Sequence, residues 1–290
     1  MSLIGTMGSG VSALRTFMKG LEVIGNNIAN VNTTGFKASE ARYADSFSNI
    51  LQRSAPSGAA TSSTPSTSIG TGVALAGVTT NFGQGSISTT GRDTDLGISG
   101  NGFFQVKNSV DGTIYATRAG DFRWSDQGFL INQQGLRVQG LTGTGLTTVG
   151  DIELGTPPTG TQRQSIAIDR VGNVVEYYSD GTSATTNRLL LQNFADPSGL
   201  TKEANNLYSS LLAAAPIGAA PGTIALQASA NGPGSSGLGA IQSGTLELSN
   251  VDLTDQFANL ITTQRSFQAG SRLVTVSDTL LEDIVNLKQR

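Results

Sequence analysis

Read at intervals of seven, the last part of the chain is apolar at Leu253, Leu260, Phe267, Val274 and Leu281. A weaker line begins at Phe257 and runs through Gln264, Ser271, Asp278 and Val285, and Ile261 and Ile284 widen the stripe. No proline follows Pro233, and Gly270 alone interrupts, so the pattern predicts one long helix with Asp252 or Thr254 at its cap. Over residues 253–288 such a helix is roughly 54 Å long at about 1.5 Å per residue. That is too long to pack inside a globule of this size, and a seven-residue apolar repeat calls for a partner helix. The partner is at the other end of the chain. Met7, Leu14, Leu21 and Ile28 also fall seven apart, beside a second line through Ile4, Val11 and Met18 and a third through Leu3, Phe17, Ile24 and Val31. Ser2 is placed to cap this helix. Gly5, Gly8 and Gly10 each weaken its start by about 1 kcal/mol relative to Ala, which predicts a segment that orders when a partner arrives.

Between the two ends the period changes. Asn26, Asn27 and Asn30, followed by Thr33-Thr34-Gly35, form a polar helix end and turn, with Gly35 closing it. Ser54 to Gly72 is low in complexity and reads as an extended loop or linker. Short strand signals start at Val73, strengthen through Leu96 to Val106, and recur with turn dipeptides such as Asn101-Gly102, Asp111-Gly112 and Asp180-Gly181. This spacing predicts a barrel or sandwich. Residues 213–244 return to Ala, Gly, Pro and Ser. The chain therefore divides into an N-terminal helix over residues 1–36, a linker over 37–72, an all-β domain over 73–212, a return linker over 213–244 and a C-terminal helix over 245–290. The fold class is α+β: long paired terminal helices, coiled-coil-like, with an inserted all-β domain.

Composition narrows the chemistry. Charged residues make up 13% of the chain and Gly contributes 37 of its 290 residues, which fits many turns and short strands. A net charge of −3 gives no general attraction to nucleic acid or anionic lipid. No run of about 18 apolar residues is present, so no membrane span is expected. His and Cys are both absent, which removes disulfides, imidazole and thiolate metal sites, and every catalytic scheme that needs either residue. No cofactor is expected. The N-terminus lacks the charged and apolar regions of a cleaved signal peptide, so a route out of the cytoplasm would be a different one.

The terminal motifs resemble those of the bacterial flagellar axial proteins, the rod and hook family. At the N-terminus the matching residues run from Gly25 through Asn26, Asn27, Asn30 and Gly35 to Phe36 and Lys37. At the C-terminus they are Ser249 to Leu253 and Ile261 to Phe267, with Gln264 and Arg265. Asp95 to Phe104 and Gly120 to Gly128 resemble the family's β-domain segments. The resemblance implies a homopolymer whose termini pair as helices in the inner layer of a hollow helical tube, located in the flagellar hook or basal body. It implies other axial proteins as partners (rod, hook cap, hook–filament junction), and export through the flagellar type III apparatus. Within the family, Leu191 to Phe194, Gly237 to Gly239, Ser243 to Leu253 and Asn286 to Lys288 point to the hook. The long Ser/Thr/Pro linker before Ile69 and the lack of an extra outer domain point to the distal rod as the alternative.

Other readings are weaker. Asp93 and Asp95 could act as an acid–base pair or bind a cation, but no second carboxylate cluster supports them and a solvated turn explains them better. Gly8-Ser9-Gly10 partly matches a dinucleotide loop without the strand that must precede one. Asn32-Thr33-Thr34 matches a glycosylation acceptor but reads as a helix-end turn. Arg265 is either an exposed helix charge or a bond to a neighbouring helix, and Trp124 and Tyr115 read as β-domain core. Outside the structural class, an adhesin or hydrolase on a helical stalk needs a nucleophile beside a base, and no Ser-x-x-Lys stands at a strand-to-helix turn. The chain reads as a non-enzyme.

Overall fold

The computed structural model describes residues 3–54, 63, 65–143, 145–219, 222–227, 230–235 and 237–288. The chain forms two compact units, one from Met1–Ala29, Ser39–Asn81 and Val251–Arg290, the other from Asn30–Ala38 and Phe82–Asn250.

The first unit is built on helices α1 (Leu3–Ala29) and α2 (Leu253–Lys288). As expected, Asp252 caps α2: its Oδ1 accepts from the Thr254 N–H at 2.8 Å. The proposed Ser2 cap lies outside the described residues. The helices run antiparallel, because partners rise along one as they fall along the other. Thr6 meets Ser277 with hydroxyls 3.4 Å apart. Gly10 lies against Val274, and Leu14 against Gly270. Further along, Gly20 lies by Thr263, and the Asn27 side chain donates to Gln256 at 3.0 Å. A Cβ on Gly10 would stand 2.9 Å from Val274 Cγ2, so the helices approach there only because Gly10 has no side chain. Gly10, Thr16, Gly20, Ile24, Asn27, Gly270 and Ser277 are the buried positions. The heptad residues Leu14, Leu21, Ile28, Leu260, Phe267, Val274 and Leu281 are half-buried, while Met7, Leu253 and Phe257 are exposed. Small residues thus set the closest approach, and Gly10, expected only to weaken the helix, is a packing position.

Residues 39–80 differ from the linker expected over 37–72. Strand β1 (Ser39–Asp45) pairs antiparallel with β4 (Val73–Thr80), and β2 (Ser48–Gln52) with β3 (Thr67–Gly70). The chain goes out along β1 and β2 and returns along β3 and β4. In β4, Val73, Leu75, Gly77 and Thr79 are half-buried while Ala74, Ala76 and Val78 are exposed, the period of a strand with one covered face. That cover is α1: Thr16 Oγ1 donates to the Val73 carbonyl at 3.1 Å, and Phe17 meets Tyr43 edge-on at 5.8 Å. Composition hides this ribbon, because main-chain pairing needs no apolar run. Ile50 and Leu51 on β2, and Phe47 just before it, stay exposed. The low-complexity residues 55–62 and 64 lie outside the described residues.

The second unit carries strands β5 (Ile87–Thr89), β6 (Leu96–Ser99), β7 (Phe103–Lys107) and β8 (Ile114–Thr117), with further strands as far as Thr245–Glu247. β7 is central, hydrogen-bonded to β8, to Arg137–Thr142 and to Leu191–Phe194. Its run of Phe103, Phe104, Gln105 and Val106 is buried throughout. Phe104 and Val106 enter a core with Leu96, Ile98, Phe122, Val138 and Ile152, while Phe103 joins Phe194, Tyr208 and Leu211 on the other face. Both faces are covered, which is why apolar side chains leave this strand on both sides, and the buried Gln105 is satisfied by donating to the Ile224 carbonyl at 2.8 Å. Tyr115 and Trp124 pack against the first core. The segment expected as a return linker over 213–244 is folded into this unit. Asn231 is fully buried, its carbonyl accepts the Leu191 N–H at 2.9 Å, and Ala240–Ser243 pairs with β6. A Gly- and Ala-rich segment can be held by its backbone bonds, which composition does not display.

These boundaries set an expected digestion pattern. A protease of broad specificity, such as subtilisin, acting on dilute protein should cut around the exposed Arg53 and in the exposed stretches of α2 around Arg265 and Arg272, and leave the segments around the buried Lys37 and Arg118 intact. The surviving fragment, read by mass spectrometry, should extend to Glu247 or beyond. A stable fragment ending near residue 212 would contradict the fold.

Candidate functional site

The two motif segments nearest the ends of the second unit meet in its interior. The first is the turn after α1. Thr33 closes it, donating its N–H to the Asn30 carbonyl and its hydroxyl to Asn30 Oδ1, both at 3.1 Å. Gly35 follows at φ +66°, and a Cβ there would stand 2.6 Å from the Ala119 nitrogen. Both the positive φ and the close approach require glycine. The Gly35 N–H donates to the Glu247 carbonyl at 2.8 Å. The second segment, Thr245–Glu247, pairs with β5. Asn250 then ties the segments again: its Oδ1 accepts from the Ala38 N–H at 2.8 Å and its side-chain amide donates to the Gly83 carbonyl at 3.0 Å.

Between them lies a buried charge cluster. Lys37 and Glu247 are fully buried and Arg118 is 3% exposed. Lys37 Nζ donates to Glu247 Oε1 at 2.6 Å and to the Gly83 carbonyl at 2.7 Å. Arg118 Nη1 donates to Glu247 Oε2 at 3.1 Å, and its Nη2 to the Gly100 carbonyl at 2.8 Å. The Gly85 N–H completes the carboxylate at 2.9 Å. Two cations against one carboxylate leave the cluster one positive charge in excess. Burial accordingly pulls both the Lys37 ammonium and the Arg118 guanidinium below their ordinary ranges, and Glu247 opposes the shift in each. The Arg118 guanidinium also lies 5.3 Å from the Phe103 ring centre, and Lys202 Nζ stands 3.8 Å over Phe36. Such a cluster does no chemistry: the Lys37 amine is held by two acceptors. It fixes the turn to the β body.

Of the motif residues named from sequence, Gly35, Phe36 and Lys37 are buried here, and Asn30 holds the turn. Asn27 is buried in the first unit, where its side chain accepts from the Ser39 N–H and donates to the Ser39 carbonyl. Asn26, Gln264 and Arg265 are exposed. Arg118 and the pairing role of Glu247 were missed. The available signal was an acidic residue set between Leu246 and Leu248 in a chain poor in charge. Asp95 does not pair with Asp93; it accepts from Thr90 Oγ1 at 2.6 Å and bridges to Asp121. Among the described residues no group of three or more Asp or Glu side chains is placed to hold a metal, and no described helix is long and apolar enough to cross a membrane.

Known proteins match these same segments. The family described as flagella basal body rod protein matches residues 7–37. The flagellar hook protein FlgE/F/G D1 domain matches residues 97–176. The flagellar basal body rod FlgEFG protein C-terminal family matches residues 242–287. The flagellar basal-body rod protein FlgG of Bacillus subtilis is 37% identical over 287 residues, covering 99% of this chain and all of the relative. The FlgG of Agrobacterium fabrum is 30% identical and covers 97% of each chain. The flagellar hook protein FlgE of Escherichia coli is 38% identical over 149 residues, which is 51% of this chain and 32% of that one.

Proposed function

Because the chain belongs to the FlgE/F/G family of flagellar rod and hook proteins, a family of structural components of the flagellar axis, we propose that it is a distal rod subunit of the basal body. Its activity is self-assembly into a hollow helical tube. The observation that carries the choice of rod is coverage. Rod proteins are matched from end to end, whereas the hook protein is matched over half of this chain and a third of its own length. This reverses the hook assignment expected from sequence.

In this reading α1 and α2 form the inner layer. Their outward apolar residues, among them Phe257, Ile261, Val276 and Ile284, pack on neighbouring copies. The chain leaves the cytoplasm by flagellar type III export, without a cleaved signal peptide, and contacts other axial proteins at the ends of the tube. The exposed Phe47, just before β2, and Ile50 and Leu51 on it support a stiff wall, since they have apolar surface to bury between subunits. Purified polymer should therefore be straight in electron micrographs, and deletion of Ser57 to Ser66 should make it curve. Curved wild-type tubes whose curvature survives that deletion would return the protein to the hook branch.

A further inference from the structure

The second unit carries a polar cleft of about 260 Å³ beside the motif turn. Its lining includes Thr33 and Thr34 from that turn, Asp121, Gln133 and Gln134, and the pair Asn205–Asn206. Resting on the reading of the chain as a self-assembling subunit, we propose that this cleft receives an uncharged, extended stretch of main chain from a second copy in the tube.

Four observations support it. First, the lining is hydroxyls and carboxamides with a single carboxylate, Asp121, and no cationic side chain. Side-chain amides present a donor and an acceptor together, which matches the peptide group. No aromatic ring lines the cleft to stack a sugar. Second, the carboxylate is already engaged: burial raises its pKa, a Gln133 side chain bonds it, and Arg92 supplies a positive charge nearby. Third, the cleft is preformed. Asn206 Nδ2 donates to the Thr34 carbonyl at 2.8 Å and Thr117 Oγ1 to the Asn206 carbonyl at 3.0 Å. Asn132 Nδ2 donates to Gln134 Oε1 at 2.6 Å, while Asn132 Oδ1 accepts the Gln134 N–H at 3.0 Å. A rigid site loses little freedom on binding. Fourth, Asn205 and Asn206 stand in succession at φ +59° and +57°, a left-handed conformation that Asn tolerates better than most residues and that the surrounding bonds hold here. The Asn205 amide and the Thr34 hydroxyl make no side-chain hydrogen bond among the described residues, so both are available to an occupant.

A second copy is the occupant of choice because subunits in a tube hold one another's main chain at high effective concentration, where uncharged bonds suffice. The test is the critical concentration for polymerisation of the full chain, read by sedimentation, in wild type, Asn205→Asp and Thr34→Val. Asp tolerates the positive φ, and Val keeps the shape of Thr. Asn205→Asp should raise the critical concentration at least tenfold and Thr34→Val severalfold, with the melting temperature of the β body unchanged. If Asn205→Asp melts early, the Thr34→Val result decides. Unchanged critical concentrations in a wild type that forms tubes would overturn the proposal and leave the rod reading standing. Normal polymerisation by both variants, with lost affinity for a soluble tetramer of N-acetylglucosamine, would overturn it in favour of a glycan. A wild type that forms no tubes would remove the rod reading itself.

Discussion

Glu247→Ala is expected to lower the melting temperature of the β body by about 10 °C or more. The change removes the shared partner of two buried cations and the acceptor of the Gly85 N–H at once. Breaking one buried pair costs about 3–5 kcal/mol, because the charge left behind has no water to replace its partner. For a unit of this size each kcal/mol moves the midpoint by about 2–4 °C. Replacing all three charged residues, as Lys37→Met, Arg118→Met and Glu247→Met together, should recover most of the loss. That substitution leaves no buried charge in the cluster, at the cost of the partners of the Gly100 carbonyl and the Gly85 N–H, while the Gly83 carbonyl keeps its bond from Asn250. The measurement is thermal unfolding of each variant followed by circular dichroism. A Glu247→Ala variant that melts within 2 °C of wild type would show that the cluster does not hold the turn to the body.

Gly10→Leu is expected to abolish polymerisation while the β body melts normally. Two effects compete at this position, and their signs differ. Helix propensity favours the substitution, since Gly is about 0.8–1 kcal/mol worse than a good helix former. Packing opposes it, because even a Cβ would meet Val274 Cγ2 at 2.9 Å and Leu adds three carbons more. If the helices meet on small residues, packing wins and the pair separates. Gly10→Ala combined with Val274→Ala makes room and should polymerise. Sedimentation of the three proteins checks this. A Gly10→Leu chain that polymerises as well as wild type, or better, would mean that propensity dominates and the close approach is absent.

The two helices were legible because amphipathic periodicity survives in any sequence, and the Asp252 cap was legible for the same local reason. What the seven-residue pattern could not convey was which side chains touch. Gly10 looks like a defect in a helix, and only the antiparallel register with Val274 gives it a purpose. The central strand β7 was legible from the strand signal through Leu96 to Val106 and the Asn101-Gly102 turn dipeptide within it. The ribbon of strands β1 to β4 and the packed segment around Asn231 were not, since main-chain hydrogen bonds carry both. At the candidate site, Lys37 stood out through its motif. Its partner Glu247 stood 210 residues away, and the Arg118 that shares that carboxylate stood 129 residues from Glu247; no local pattern links charges at such separations.

The claim that this chain builds the rod is tested most directly by electron microscopy of basal bodies purified from a strain lacking its gene. The account predicts particles that stop within the rod and carry no hook. Particles with a complete rod and no hook would contradict it and assign the protein to the hook.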